Sequence, residues 1–150
     1  MSLRRMRTNP STLGSADDIE QQFYEALREG DVDKLMNLWA DDDDIVCVHP
    51  EGARIVGPAA IRAAFEAMLS NGALDVRAEN VRRVQTHASA MHSVVEHLRL
   101  PTPDGVRSGF VVATNVYMKL VEGWRLVAHH ASPGATGERR ELPELPQVLH

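Results

Sequence analysis

The 150-residue chain contains a single cysteine, Cys47, so no internal disulfide can hold it together. Ile45, Val46 and Val48 surround that cysteine, which reads as a small buried hydrophobe rather than a nucleophile, in a reducing, cytoplasmic setting. No segment approaches the ~20 apolar residues needed to span a bilayer, and no membrane partner is expected. The head carries Arg4, Arg5 and Arg7 but lacks the apolar core of a signal peptide. Over the whole chain basic charge is in deficit: 16 Lys and Arg stand against 21 Asp and Glu, a net charge of −5, which gives nucleic acid nothing to grip. There is no glycine-rich phosphate loop and no nucleophile elbow around a serine or cysteine. The Asp41–Asp44 run lacks the glycine and distal glutamate of a calcium loop and reads as a solvated helix exit.

What remains is an ordinary globular composition, 43% hydrophobic and 25% charged, in one domain able to bury about two-thirds of its unfolded surface. Residues 1–16 read as a flexible head, 17–134 as the domain, and 135–150, with Gly137, Pro143 and Pro146, as an extended tail. Asp17 with Glu20 suits a capping box for a first helix, whose apolar repeat Ile19, Phe23, Ala26, Leu27 stops at Gly30. Asp31 caps a short second helix with Leu35, Leu38 and Trp39 on its buried side. A strand over 45–49 ends in the turn His49-Pro50-Glu51-Gly52. Pro58 then opens a third helix bearing Ile61, Ala64, Phe65, Met68 and Leu69. From residue 74 the pattern changes to four strands, about 74–86, 90–100, 108–121 and 124–132, joined by short polar turns and therefore antiparallel. The fold class is α+β. Phe110, Val112, Val116, Met118 and Leu120 make the second sheet face apolar too, and a partner subunit is its simplest cover.

Helix–helix–strand, then His49-Pro50-Glu51-Gly52, Gly57-Pro58-Ala59-Ala60-Ile61 and the closing run from Gly123-Trp124 to Ala131-Ser132, resembles the nuclear transport factor 2-like superfamily over roughly residues 17–134. That superfamily includes ketosteroid isomerases, SnoaL-like polyketide cyclases and the association domain of calcium/calmodulin-dependent kinase II. The resemblance implies a cone-shaped fold, with three N-terminal helices packed on a curved, mainly antiparallel sheet. It also implies a ligand cavity between helices and sheet, and a homodimer through the opposite sheet face. By the same resemblance His49 falls where the isomerases keep their general base, and Asn115 where they keep a protonated aspartate. Phe23 falls at the position of their oxyanion-hole tyrosine, with Tyr24 one residue out of phase. Against the association domain, Arg99 matches one of three arginines, while Asn115 and Ala131 occupy the other two positions.

Read from the residues themselves, His49 either acts as a base, an imidazole titrating near neutral pH, or caps the Pro-Glu-Gly turn. Asn115 and Tyr117 share one side of their strand and suggest polar points on a cavity wall. His97 and Arg99 either point into the cavity or form a solvated edge. His129 and His130 face opposite ways, His129 inward if it follows the phase of Asn115. Trp39 reads as core at the cavity wall and Trp124 as a packing anchor of the last strand. The catalytic candidates are therefore His49, Asn115 and Tyr117. Trp39, His97, Arg99, His129, Tyr24 and Phe23 are the candidates for ligand contact. No cofactor or metal is expected, because His49, His97 and His129 lack metal-site spacing. Two functions fit: a small-molecule-binding domain, its chemistry if any being proton transfer beside a carbonyl (isomerase, cyclase or dehydratase), or a non-catalytic oligomeric association or ligand-sensing module.

Overall fold

The computed structural model describes residues 14–134; most of the expected head and all of the expected tail lie outside them. Helix α1 spans Ala16–Glu29. Its cap is Ser15, whose Oγ accepts from the Asp18 amide at 3.0 Å, and not Asp17 as expected. Asp17 and Asp18 instead occupy the first turn, where their charge complements the helix dipole. The expected capping box therefore fails: Glu20 points inward with Ile19, Phe23, Tyr24, Ala26 and Leu27 on the buried stripe. Gly30, at φ 68°, adopts the left-handed conformation that ends the helix, and its N–H returns to the last turn. Asp31 caps α2 (Val32–Met36), and Pro58 opens α3 (Pro58–Met68), which buries Ile61 and Phe65.

Strands β1 (Val46–Val48) and β2 (Arg54–Val56) form a short hairpin, followed after α3 by β3 (Val76–Gln85), β4 (Ser89–Thr102), β5 (Gly105–Leu120) and β6 (Gly123–Pro133). All six make one sheet in the order β2-β1-β6-β5-β4-β3. Every neighbouring pair is antiparallel except β1 and β6, which run parallel with Cys47 beside His129 and Val48 beside His130. The result is an α+β fold on a mostly antiparallel sheet. No helix among the described residues is long and apolar enough to cross a membrane.

Alternation along the strands decides what faces the helices. Ala90, His92, Val94 and Glu96 of β4 turn inward, as do Ala113, Asn115 and Tyr117 of β5, and all are buried. On β6 the inner residues are Leu126, His129 and Ala131, an uneven spacing. A bulge explains it: Val116 pairs with Ala128 and Tyr117 with Leu126, so Val127 is the extra residue. Without that bulge Leu126 and His129 could not share a face. The core between this face and the helices contains Ile19, Phe23, Leu35, Ile61, Phe65 and Leu126, all under 2% exposed and each worth roughly 2 kcal/mol of burial. The outer face keeps partly exposed apolar side chains, Met91 at 37% and Met118 at 43% among them.

Candidate functional site

Between α1, α3 and the inner sheet face lies a cavity of about 80 Å³. Phe23 and Leu27 of α1, Phe65 and Met68 of α3, and Leu74, Val76, Leu98, Val111 and Ala131 make its walls apolar. Among the described residues three titratable side chains reach it: His49 from the end of β1, Glu96 from β4 and His129 from β6. The parallel β1–β6 pairing brings the two histidines together, with ring centroids 6.3 Å apart. Two wider depressions around Asp33 and Arg62, of about 440 and 540 Å³, are surface grooves with mostly polar walls.

Behind the cavity runs a chain of buried hydrogen bonds. Tyr24 donates its hydroxyl proton to Glu96 Oε2 at 2.7 Å, so its own oxygen must accept, and the Asn115 amide nitrogen approaches it at 3.1 Å. That fixes the Asn115 carbonyl towards His129, whose Nδ1 lies 2.6 Å away and must carry the proton. His129 Nε2 is thereby left as an acceptor, 4.0 Å from Glu96 Oε2. A second carboxylate, Glu20, accepts from the Tyr117 hydroxyl at 2.9 Å and from Asn115 Nδ2 at 3.4 Å.

Burial sets the protonation states. It pushes the Glu96 carboxyl up to about 7, the Tyr24 hydrogen bond opposing that rise and the charge of Glu20 adding to it. It pushes His129 down to about 3, helped by His49 and His130, and it lowers His49 as well. Both histidines are therefore neutral at pH 7, while Glu96 is divided between its two forms. Burial raises the Tyr24 and Tyr117 hydroxyls well above their usual range, so both remain donors. It pushes the Cys47 thiol up to about 12, which leaves it inert although Sγ is 3.8 Å from His49 Nε2.

A family model described as a SnoaL-like domain matches residues 17–136. The chain belongs to the SnoaL-like family, within the nuclear transport factor 2-like superfamily. Among solved structures, a Thiobacillus denitrificans ATCC 25259 protein, provisionally described as a calcium/calmodulin-dependent protein kinase type II association domain, is 31% identical. The match covers 82% of this chain and 98% of that one, with a TM-score of 0.75. A provisionally described dehydratase of the NTF2-like family from Streptomyces avermitilis is 27% identical, covering 77% and 91%, with a TM-score of 0.68. The CaMKII hub of S. rosetta, 19% identical over 78% and 92% with a TM-score of 0.63, shares the fold. None of the curated proteins compared matches the chain.

Within this SnoaL-like domain the expected residues separate into three groups. His49, His129 and Phe23 line the cavity. The turn after His49 is closed by its backbone, Gly52 N–H to His49 O at 2.8 Å, so the imidazole is not needed as a cap and packs edge-on to Phe65. Asn115, Tyr117 and Tyr24 are buried behind the cavity wall as members of the hydrogen-bond network. Although one residue past Phe23, Tyr24 is also buried on α1. His97 and Arg99 are corrected. They lie on the opposite face of β4, His97 stacked on Phe110 and within hydrogen-bond distance of Glu79 and Ser108, Arg99 exposed. Trp39 is core, as expected, and paired through its backbone with Leu126, but its place at the cavity wall is corrected: it is absent from the lining.

Glu96 and Glu20 were missed because the alternation of β4 carries polar residues on both faces, and because a glutamate at the third position of a helix start reads as a cap. Glu96 leaves a signature in stability. Its folded pKa of about 7 lies above the unfolded value near 4.5, so the cost of charging it is absent below pH 4.5, grows through pH 7 and then levels at roughly 3 kcal/mol. His129 acts oppositely: neutral in the fold down to about pH 3, it makes the domain less stable as pH falls below 6.5. Glu96→Gln should therefore raise urea-unfolding stability relative to the wild type more at pH 8 than at pH 5. An equal effect at both pH values would contradict the assigned environment.

Proposed function

We propose that this SnoaL-like domain binds a small, mainly apolar carbonyl compound in the cavity and transfers a proton next to the carbonyl, as an isomerase, cyclase or dehydratase would. The carrying observation is that one apolar cavity presents a neutral imidazole and a carboxyl with a pKa of about 7. Groups with such values can lend and take protons at neutral pH, and low polarity strengthens each interaction. His49, half-buried at the β1 end, is the base that removes the proton. Glu96 in its protonated form meets the charge that develops on the carbonyl oxygen, which ranks it ahead of Asn115 and Tyr117 for that role. Those two, with Tyr24, position Glu96 and His129 through the buried network. The cavity is far below the roughly 300–1,000 Å³ of pockets for drug-sized ligands, which favours a small substrate. The likeness to a protein described as a dehydratase supports the reaction class.

Exchange of α-protons into deuterated water, followed by proton NMR on a panel of small ketones and β-hydroxy ketones, measures this chemistry directly. His49→Ala should slow exchange about 10²-fold or more while circular dichroism is unchanged. Exchange at the wild-type rate would remove His49 from the mechanism.

A second reading, a non-catalytic association or ligand-sensing module, draws on the likeness to the Thiobacillus denitrificans protein and on the apolar outer sheet face. Both readings place a partner copy over Val112, Val116 and Met118. Light scattering at micromolar concentration should give a dimer or larger assembly, reduced by Val116→Asp. A monomer would contradict the assembly in either reading.

A further inference from the structure

Apart from the cavity, one group of three His, Cys, Asp or Glu side chains among the described residues has donor atoms close enough to share an ion, beneath the first turn of α1. Asp17 and Glu20 stand three residues apart on the same side of the helix, over His92 of β4. One ring nitrogen and one oxygen from each carboxylate lie within 4.8 Å of one another. His92 is fully buried, yet among the described residues neither of its ring nitrogens has a hydrogen-bond partner. Leaving such atoms dry and unpaired is costly, and an ion on Nδ1 relieves the one that faces Glu20.

The geometry indicates which kind. His92 Nδ1 lies 3.0 Å from Glu20 Oε2 without the alignment of a hydrogen bond. In a hydrogen bond the ring N–H points at the oxygen, whereas in a chelate both lone pairs point at a third centre. Arms of ~2.0–2.1 Å meeting at about 90–110° place nitrogen and oxygen about 2.9–3.4 Å apart, with the ring axis directed away from the oxygen. We propose that His92, Glu20 and Asp17 form a binding site for one divalent first-row transition ion, such as zinc or cobalt(II).

The surroundings are consistent with that assignment. Tyr117 donates to Glu20 Oε2 and its ring packs against His92 at 4.9 Å, so two of the three ligands are held by neighbours. A single imidazole with two carboxylates suits first-row transition ions better than calcium, which takes six to eight oxygens. Asp17 is exposed, its Oδ1 4.0 Å from Nε2, the other ring nitrogen of His92, so its carboxylate must swing towards an ion held on Nδ1 and supplies the adjustable ligand at the solvent side. Its carboxylate accepts from Arg83 Nε at 2.8 Å, so a cation already answers part of this negative charge. None of the three ligands lines the cavity, and the proposal does not rest on the acid–base reading.

The full-length chain, stripped with chelator and titrated with cobalt(II) alone, should bind one ion per chain with visible d–d absorption, and zinc should displace it. Asp17→Asn is on the surface and will fold, and it should weaken cobalt binding at least tenfold. Glu20→Gln retains the shape of its side chain and should weaken it similarly, while Arg83→Gln should tighten it by releasing Asp17. Absence of binding by the wild-type chain would overturn the site. So would binding of unchanged strength in Asp17→Asn, which would assign the ion to other histidines.

Discussion

Hydrogen bonds from Tyr24 and Tyr117 hold two glutamates, Glu96 and Glu20, beneath helix α1, where neither is more than 8% exposed. A carboxylate taken from water without partners would shed its charge or unfold its surroundings. Here the partners are themselves buried, and each is fixed by the next. Asn115 can serve Tyr24 and Glu20 only by turning its carbonyl to His129, which in turn fixes the imidazole tautomer. Loss of any member leaves an unpaired group in a dry interior, at a cost of about 1–3 kcal/mol.

Topology makes the network possible. The last strand, β6, inserts between β1 and β5, so His129 reaches the middle of the sheet next to Cys47 and near His49. The bulge at Val127 then turns both Leu126 and His129 inward. Helix α1 supplies Glu20, Phe23 and Tyr24 from one stripe, packing Phe23 edge-on to both Tyr24 and Phe65. The apolar wall and the polar network are thus built by the same helix, one residue apart.

Much of this was legible in the residues. Gly30, Asp31 and Pro58 punctuate the helices where the structure ends and starts them, and the four long strands fall within about three residues of their expected limits. Local pattern did not carry pairing. The parallel contact of β1 with β6 joins segments some eighty residues apart, and nothing in either strand announces it. Phase was the second difficulty. Along β4, His92 and Glu96 face in while His97 and Arg99 face out, so polarity could not tell one side from the other. The same ambiguity affected the start of α1, where Ser15 and Asp17 are both competent caps and the helix uses the first.

For function, the consequence of this architecture is a cavity whose chemistry depends on burial rather than on a strongly charged group. On the proposed acid–base reading, neutral imidazoles and a carboxyl near its midpoint at pH 7 would exchange protons with a bound carbonyl compound at little cost. The account therefore turns on the protonation of Glu96. Carbon-13 NMR of the glutamate side-chain carboxyls, with Glu96 assigned through Glu96→Gln, measures it directly. A midpoint near pH 7 that rises further in Tyr24→Phe is the result this structure predicts. A midpoint near 4.5, unmoved by the loss of the tyrosine hydroxyl, would contradict it.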